Sequence, residues 1–487
     1  MIEKALVIAP HPDDEINLAG QLLISLIKNK VEVFVAYTTN GDFEKKIGNK
    51  RIVEAINANA VLGVDSEHVI FLGYPNEWQG GTHIYNSKAG EVLVSKLGKE
   101  ETNSIENHPE YCYQLYGIHH RLSRENFRSD YKDLIIELLP DLIIAPEFDS
   151  HPDHRAASLM FDEIMGEILK ENNRYRPIIL KKYIHEGVWN GPKDYYERPA
   201  KPTLFSKQKK YAGQTHELES PAYHWDQRIR VKVDDATLTN LLKNNPIYKA
   251  AKQHKVTTAW YEMQRVINAD AVYWKKRTDN EALCAKFEVS SGEAIFLNDF
   301  KYYDTFDVNT PIDVFDRPEV YCWQPTLDDP DKNIICRFED EKWIRSIAVV
   351  EDCNARNHIK SLLIRSQEFS IEIEPNCDGS RTVVILPKAI KSDCIEVRIL
   401  DFLGQPGIAE IEFFSSDDES IPFQEYKEDK LETEKRHVTV SQKLEKACLM
   451  IRFLYSFKAK YELNRMIVKI NKKMQKSSEI IDERLNQ

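Results

Sequence analysis

Residues Ala5 to Glu15 read A-L-V-I-A-P-H-P-D-D-E: an apolar run stops at Pro10 and is followed at once by His11, Asp13, Asp14 and Glu15. A short, uninterrupted apolar run bounded by proline fits a strand buried on both faces, as in a parallel sheet. Further along, Asp141 to His154, D-L-I-I-A-P-E-F-D-S-H-P-D-H, repeats the arrangement, with Pro146 ending the run and Asp149, His151, Asp153 and His154 beyond it. Open parallel sheets gather ligand-binding groups in the loops past the carboxyl ends of their strands. The two blocks together predict one metal site.

A catalytic zinc takes three protein ligands from His and carboxylate and keeps one position open for water. His11, Asp14 and His154 supply such a set. Asp13 is then free to act as general base, and His151 to face the oxyanion or protonate the leaving amine. Taken singly, H-x-x-H reads as two solvated imidazoles and D-D-E as a polar loop; two blocks in equivalent places after equivalent runs favour the metal.

These residues carry a resemblance. H-P-D-D-E at 11–15 with H-P-D-H at 151–154 resembles the LmbE/PIG-L family of zinc-dependent N-acetylglucosaminyl de-N-acetylases. Thr39-Asn40-Gly41-Asp42, Arg51 and Glu54 with Ala55, and F-L-G-Y-P-N at 71–76 extend it, so that it covers roughly the first 270 residues. The resemblance implies His11, Asp14 and His154 as zinc ligands (Fe2+ being an alternative ion), Asp13 as base, His151 as oxyanion partner and Arg51 against the substrate. It departs at one point: some relatives place an oxyanion tyrosine where this chain has Asp149. Either another group supplies that donor or His151 and the metal suffice.

The chain has 487 residues, too many for one ordinary core, so two or three domains are expected. A net charge of −12 argues against a nucleic-acid-binding body. No apolar run is long enough to span a bilayer, the start leads directly into the site and does not read as a signal peptide, and the eight cysteines form no C-x-x-C pair. These features suggest a cytoplasmic protein with reduced thiols.

Strand and helix alternate along the first part: helix from Gly20 to Lys28, strand at 31–37, helix from Arg51 to Leu62 with Gly63 as its stop, strand from Val69 to Leu72, and helix from Asp130 to Leu139. The fold class expected is α/β, a Rossmann-like, mostly parallel sheet flanked by helices, without the G-x-G-x-x-G of a dinucleotide site. Between Asn76 and Arg128 a long insertion offers Trp78, Tyr116, His119 and Arg124 as sugar contacts or as ordinary loop anchors. Residues 229–233 read as a strand, Thr237 to Lys255 as a helix broken near Asn245-Pro246, and Thr258 to Ile267 as another; His185 and His224 read as structural.

These segments make residues 1–280 the catalytic domain. From 285 to 416 short alternating segments predict an all-β jelly-roll sandwich, similar to galactose-binding-like domains of the discoidin kind. Residues 417–440 read as a charged linker, and 441–487 as a basic helical tail with eleven Lys and Arg against five Asp and Glu. The tail's two apolar stripes suit packing against a partner helix, oligomerisation or a membrane surface at the inner face.

The expectation is a metal-dependent hydrolase that removes the acetyl group from an N-acetylated amino sugar in a glycoconjugate or polysaccharide precursor. Two alternatives stand beside it: a glycan-binding or assembly protein with a non-catalytic metal loop, and an amidase on a non-sugar amide or a sugar–thiol conjugate.

Overall fold

The computed structural model describes residues 2–42, 47–76, 83–149, 151–184, 189–190, 196, 200–205, 223, 225–257, 265–305, 308, 321–352, 354, 356–377, 379–427, 437–449 and 451. The first part alternates β1 (Lys4–Ala9), α1 (Asp14–Lys28), β2 (Glu32–Thr39), α2 (Gly48–Leu62), β3 (Val69–Tyr74), α3 (Tyr111–Tyr116), α4 (Arg124–Leu138), β4 (Leu142–Pro146), α5 (Pro152–Glu171) and β5 (Ile178–Lys182). A two-residue hairpin follows, β6 (Trp189–Asn190) with β7 (Leu204–Phe205), then β8 (Ile229–Val231), α6 (Pro246–Ala251) and β9 (Ala271–Lys276).

One sheet of seven strands runs in the order β3-β2-β1-β4-β5-β9-β8. Its first five strands are parallel, and β9 and β8 are antiparallel additions. The apolar runs of β1 and β4 are buried on both faces because the sheet lies between helices. The chain turns one way from β1 to β2 and the other way from β4 to β5, so the crevice at the carboxyl ends of β1 and β4 is the topological switch point. The register Val7 opposite Ile144 sets Ala9 beside Pro146, and both polar blocks leave the sheet side by side.

Helix boundaries differ from the apolar pattern for physical reasons. α1 begins at Asp14 and not at Gly20, because its first turn buries polar residues against the crevice. α4 begins at Arg124, capped by the Ser123 hydroxyl, which accepts from the Asn126 N–H at 3.2 Å. Between Thr237 and Lys255 the only α-helix is α6. Asn245 caps it by accepting from the Tyr248 N–H at 3.2 Å, and Pro246 stands at its first position, where its missing N–H costs nothing. Residues 258–264 of the next expected helix lie outside the described residues.

The second part is all antiparallel: β10 (Lys286–Val289), β11 (Asn333–Glu351), β12 (His358–Arg365), β13 (Ser370–Ile373), β14 (Arg381–Leu403) and β15 (Ile408–Phe414), ordered β10-β11-β14-β12-β13 with β15 on β11. The short alternating segments of the sequence belong to long strands: β11 and β14 pair along most of their length, with register shifts that carry them past the acidic stretch at 339–341. Alternate residues of these strands, with Trp323, enclose one apolar core. A helix at 440–449 lies near the end of the chain.

Part of the stretch read as a linker is bonded to the first sheet. Lys232 donates its N–H to Gln424 O at 2.8 Å and Tyr426 donates to Arg230 O at 2.9 Å, which occupies the edge of β8. In the following helix, Glu445 accepts from the Leu242 N–H at 2.9 Å and from the Tyr196 hydroxyl at 2.6 Å. The tail beyond 451 lies outside the described residues. Among the described residues no helix is long and apolar enough to cross a membrane.

Candidate metal centre

α1 and α5 both aim their amino ends at the crevice, and both carry acids in the first turn, Asp14 and Glu15 on one and Asp153 on the other. The positive end of a helix dipole favours such anions. Three of the predicted residues converge there. His11 Nδ1 lies 3.0 Å from Asp14 Oδ2, His154 Nε2 lies 3.2 Å from the same oxygen, and the two imidazole nitrogens are 3.2 Å apart. A tetrahedral zinc with N and O ligands near 2.0–2.1 Å sets its ligand atoms about 3.3 Å apart, so this triangle has the dimensions such an ion needs.

The outer nitrogens fit the same purpose. His154 Nδ1 lies 2.9 Å from both oxygens of Asp149, and His11 Nε2 lies 2.8 Å from Asp153 Oδ2. A carboxylate on the far nitrogen fixes ring orientation and tautomer, and leaves His11 Nδ1 and His154 Nε2 facing the shared point. Burial works against charge on these imidazoles. Asp149 and Asp14 nevertheless push His154 up to about 10, and Asp14 and Asp153 raise His11. Burial would likewise raise the Asp14 carboxyl, yet His154 and His11 hold it well below the usual carboxylate range. The field of the pocket therefore calls for positive charge, and its donor set fits a divalent ion.

His151 stands beside the triangle. Its ring is edge-on to His11 at 4.5 Å and stacked on His154 at 4.7 Å, and ligand nitrogens of the three imidazoles lie within 4.8 Å of one another. Asp14, with its carboxylate at hydrogen-bond distance from two of those imidazoles, is the other candidate for third ligand. His151 also caps α5: its Nδ1 accepts from the Asp153 N–H at 3.2 Å, which assigns the ring proton to Nε2 and makes that atom a donor.

Asp13 has φ 142°, a backbone conformation that L residues rarely adopt and that costs on the order of 1–3 kcal/mol. Its surroundings hold it there. Its carboxylate accepts from Arg51 Nη2 at 2.9 Å, its N–H donates to Glu15 Oε2 at 3.0 Å, and Arg51 also donates to Pro12 O at 2.9 Å and Gly41 O at 3.0 Å. Gly41 has φ 62°, in the left-handed region that favours glycine, and a Cβ there would also meet the Arg51 guanidinium at 2.3 Å. Arg51 is thus buried against the loop that carries Asp13. Glu15 is fully buried, with His254 Nε2 at 2.7 Å from its Oε1.

Sequence reasoning missed three members of this arrangement. His83 Nε2 lies 2.8 Å from Asp153 Oδ1, while its Nδ1 accepts from the Tyr85 N–H at 3.0 Å. His254 braces Glu15. Asp149, named in the second block but given no role there, lies 2.9 Å from His154 Nδ1. The contacts seen at Tyr116, His119 and Arg124 are with other protein groups: Tyr116 donates to Asp133 at 3.2 Å, His119 pairs with Glu110, and Arg124 bonds Tyr85 O at 3.1 Å and Glu163 at 2.7 Å. Trp78, His185 and His224 lie outside the described residues.

An α/β domain with a His-Asp-His triangle at its switch point is the class that fold and site define. Residues 6–165 match the family model described as PIG-L: GlcNAc-PI de-N-acetylase, and this stretch is a PIG-L (LmbE) family domain. No curated protein matches the chain. Among solved structures it is similar to the N,N'-diacetylchitobiose deacetylase from Pyrococcus horikoshii, at 20% identity and a TM-score of 0.26, over 38% of this chain and 62% of that one. The chain therefore spans less than two thirds of that deacetylase. A 4-carboxy-2-hydroxymuconate hydratase from Pseudomonas putida is similar at 13% identity and a TM-score of 0.31, over 54% of this chain and 84% of the hydratase. The β domain is similar to a galactose-bound family 32 carbohydrate-binding module from Clostridium perfringens, at 12% identity and a TM-score of 0.20, over 27% of this chain and 95% of the module.

Proposed function

We propose that the protein is a metal-dependent deacetylase acting on an N-acetylated amino sugar of the N-acetylglucosamine type within a glycoconjugate or polysaccharide precursor. The observation that carries this reading is the triangle of His11 Nδ1, Asp14 Oδ2 and His154 Nε2 at 3.0–3.2 Å, with Asp13 pinned next to it. The PIG-L match over residues 6–165 supports the choice of acetamide and sugar.

In this reading His11, Asp14 and His154 hold a divalent ion, zinc or Fe2+. Such an ion, when bound, supplies Lewis-acid polarisation of an amide carbonyl and acidifies water. Asp13 takes the proton from the attacking water, its carboxylate oriented by Arg51. His151, with its proton on Nε2, hydrogen-bonds to the oxygen that becomes negative, and the proton that Asp13 took passes to the departing nitrogen as the C–N bond breaks, so that acetate and a free amine leave. Asp149 and Asp153 keep the two ligand imidazoles in their tautomers. Arg51 retains a second role toward substrate, through whichever of its N–H groups substrate can reach.

The test is an acetate-release screen of free and lipid-linked N-acetylated sugars with the full chain, as purified, freed of metal, and reloaded with zinc. Activity that follows metal content and is lost in Asp13→Ala supports the reading. Equal activity with and without metal on a hydrolysed substrate overturns the mechanism. Sugar binding without acetate from any substrate favours the glycan-binding alternative.

A further inference from the structure

A second group of ligating side chains lies outside the crevice, in the insertion between β3 and β4. Cys112 on α3, His120 in the loop after it and Asp130 on α4 bring ligand atoms within 4.8 Å of one another. Cys112 and Asp130 are fully buried, and the His120 side chain is 18% exposed, which leaves a way in from solvent. His120 Nδ1 lies 2.7 Å from Asp130 Oδ1. That contact is close for two ligands of one tetrahedral ion, which stand about 3.3 Å apart, or about 3.6 Å where one is sulfur. A shift of less than about 1 Å on each side would open the group to an ion of that geometry.

Asp130 and Cys112 have outer hydrogen-bond partners of the kind that orient metal ligands, and the His120 backbone and ring are held in place beside them. Tyr74 donates its hydroxyl to Asp130 Oδ2 at 2.7 Å, Thr102 Oγ1 lies 3.2 Å from Cys112 Sγ and accepts from the His120 N–H at 3.0 Å, and the Tyr116 ring stacks on His120. Charge points the same way. Glu110 is also buried next to Thr102 and pairs with His119, and among the described residues no Lys or Arg ion pair is seen at either carboxylate. Burial raises the Asp130 carboxyl despite Tyr74 and His120, and raises the Cys112 thiol. A cation would relieve both groups at once.

We propose that Cys112, His120 and Asp130 form a second divalent-metal site, of mixed sulfur, nitrogen and oxygen donors suited to zinc, that clamps α3 and α4 onto the end of β3. Sulfur with imidazole selects a borderline ion over magnesium or calcium. The site is independent of the deacetylase reading, since it shares no residue with the crevice.

The experiment titrates the metal-free full chain with Co2+, in a background where the exposed Cys284, Cys377 and Cys448 are serine. The crevice triangle has no sulfur, so a near-ultraviolet thiolate-to-Co2+ charge-transfer band cannot come from it, and loss of the band in Cys112→Ser assigns it to the second site. The expected result is a second equivalent of Co2+ accompanied by that band, with both lost in Cys112→Ser and both kept in His154→Ala. Tyr74→Phe, which removes an outer partner, weakens this equivalent about 10- to 100-fold. Should Cys112→Ser fail to fold, His120→Gln at the solvent side serves instead, with far-ultraviolet circular dichroism as the fold control and at least a 10-fold loss of affinity expected. Absence of the band in the parent protein, its persistence in Cys112→Ser, or unaltered affinity in His120→Gln overturns the proposal.

Discussion

Two carboxylate–imidazole networks in this molecule use the same groups to different ends. In the crevice, His154 gives one nitrogen to Asp149 and His11 gives one to Asp153, and their remaining nitrogens meet at a common point with Asp14. In the β domain, His358 lies between Glu351 and Glu374, with both nitrogens 3.0 Å from a carboxylate oxygen. Glu351 is buried and Glu374 is exposed. The difference lies in the second nitrogen. Where a carboxylate takes it, the pair holds strands together; where it is left facing other donors, the pair can grip an ion.

The comparison can be broken first at Asp13, where the largest effect is expected. Asp13→Ala should lower acetate release by about 10²- to 10⁴-fold, the usual contribution of a general base, while metal content by atomic absorption stays unchanged. Loss of metal together with activity would mean that Asp13 belongs to the gripping set. Arg51→Met comes next, with a fall in kcat of about 10²-fold from a misdirected base. A rise in KM alone would make Arg51 a substrate contact and not the holder of Asp13. Asp149→Asn sharpens the contrast itself. Metal affinity, read by competition with a chelator, should fall about 10- to 100-fold because His154 loses the charge that orients it.

The smallest effect belongs to the β domain and depends on pH. Burial pushes the Glu351 carboxyl up from 4.5 to about 7 against the pull of His358, and His358 is itself raised above 6.5 by Glu374 and Glu351, which outweigh its burial. A group raised on folding stabilises fully below its unfolded value and loses that contribution as pH rises through its folded value. The Glu351 contribution is therefore lost between about pH 4.5 and pH 7, and the His358 contribution as pH rises above 6.5. Glu351→Gln, which cannot ionise, should flatten this loss in urea unfolding followed across that range. An equally steep profile in the variant would assign the loss elsewhere.

What could be read from the sequence follows from distance along the chain. The apolar runs and the two polar blocks are contiguous, and a strand ending at Pro10 or Pro146 delivers its neighbours to one rim, so the parallel sheet and the candidate ligands were legible. His83 and His254 reach the site from residues 70 and 239 positions away from their partners, and no spacing announces them. The same holds for Cys112, His120 and Asp130, which lie within 18 residues of each other but in no ligand motif. For Arg124 and Tyr116 the sequence left two readings, sugar contact or loop anchor, since polar and aromatic side chains look alike whether they meet a sugar or a carboxylate on the next helix. The long strands β11 and β14 read as short ones because their bulges interrupt the alternation.

The backbone pairing of residues 424–426 with β8 bears on the order in which the protein can be made. During synthesis the crevice side of the first sheet emerges early, but its far edge waits through the whole β domain for the segment that covers it. A chain cut after residue 280 would leave that edge open for pairing with other molecules, and association of the fragment is the outcome to expect on expressing it alone.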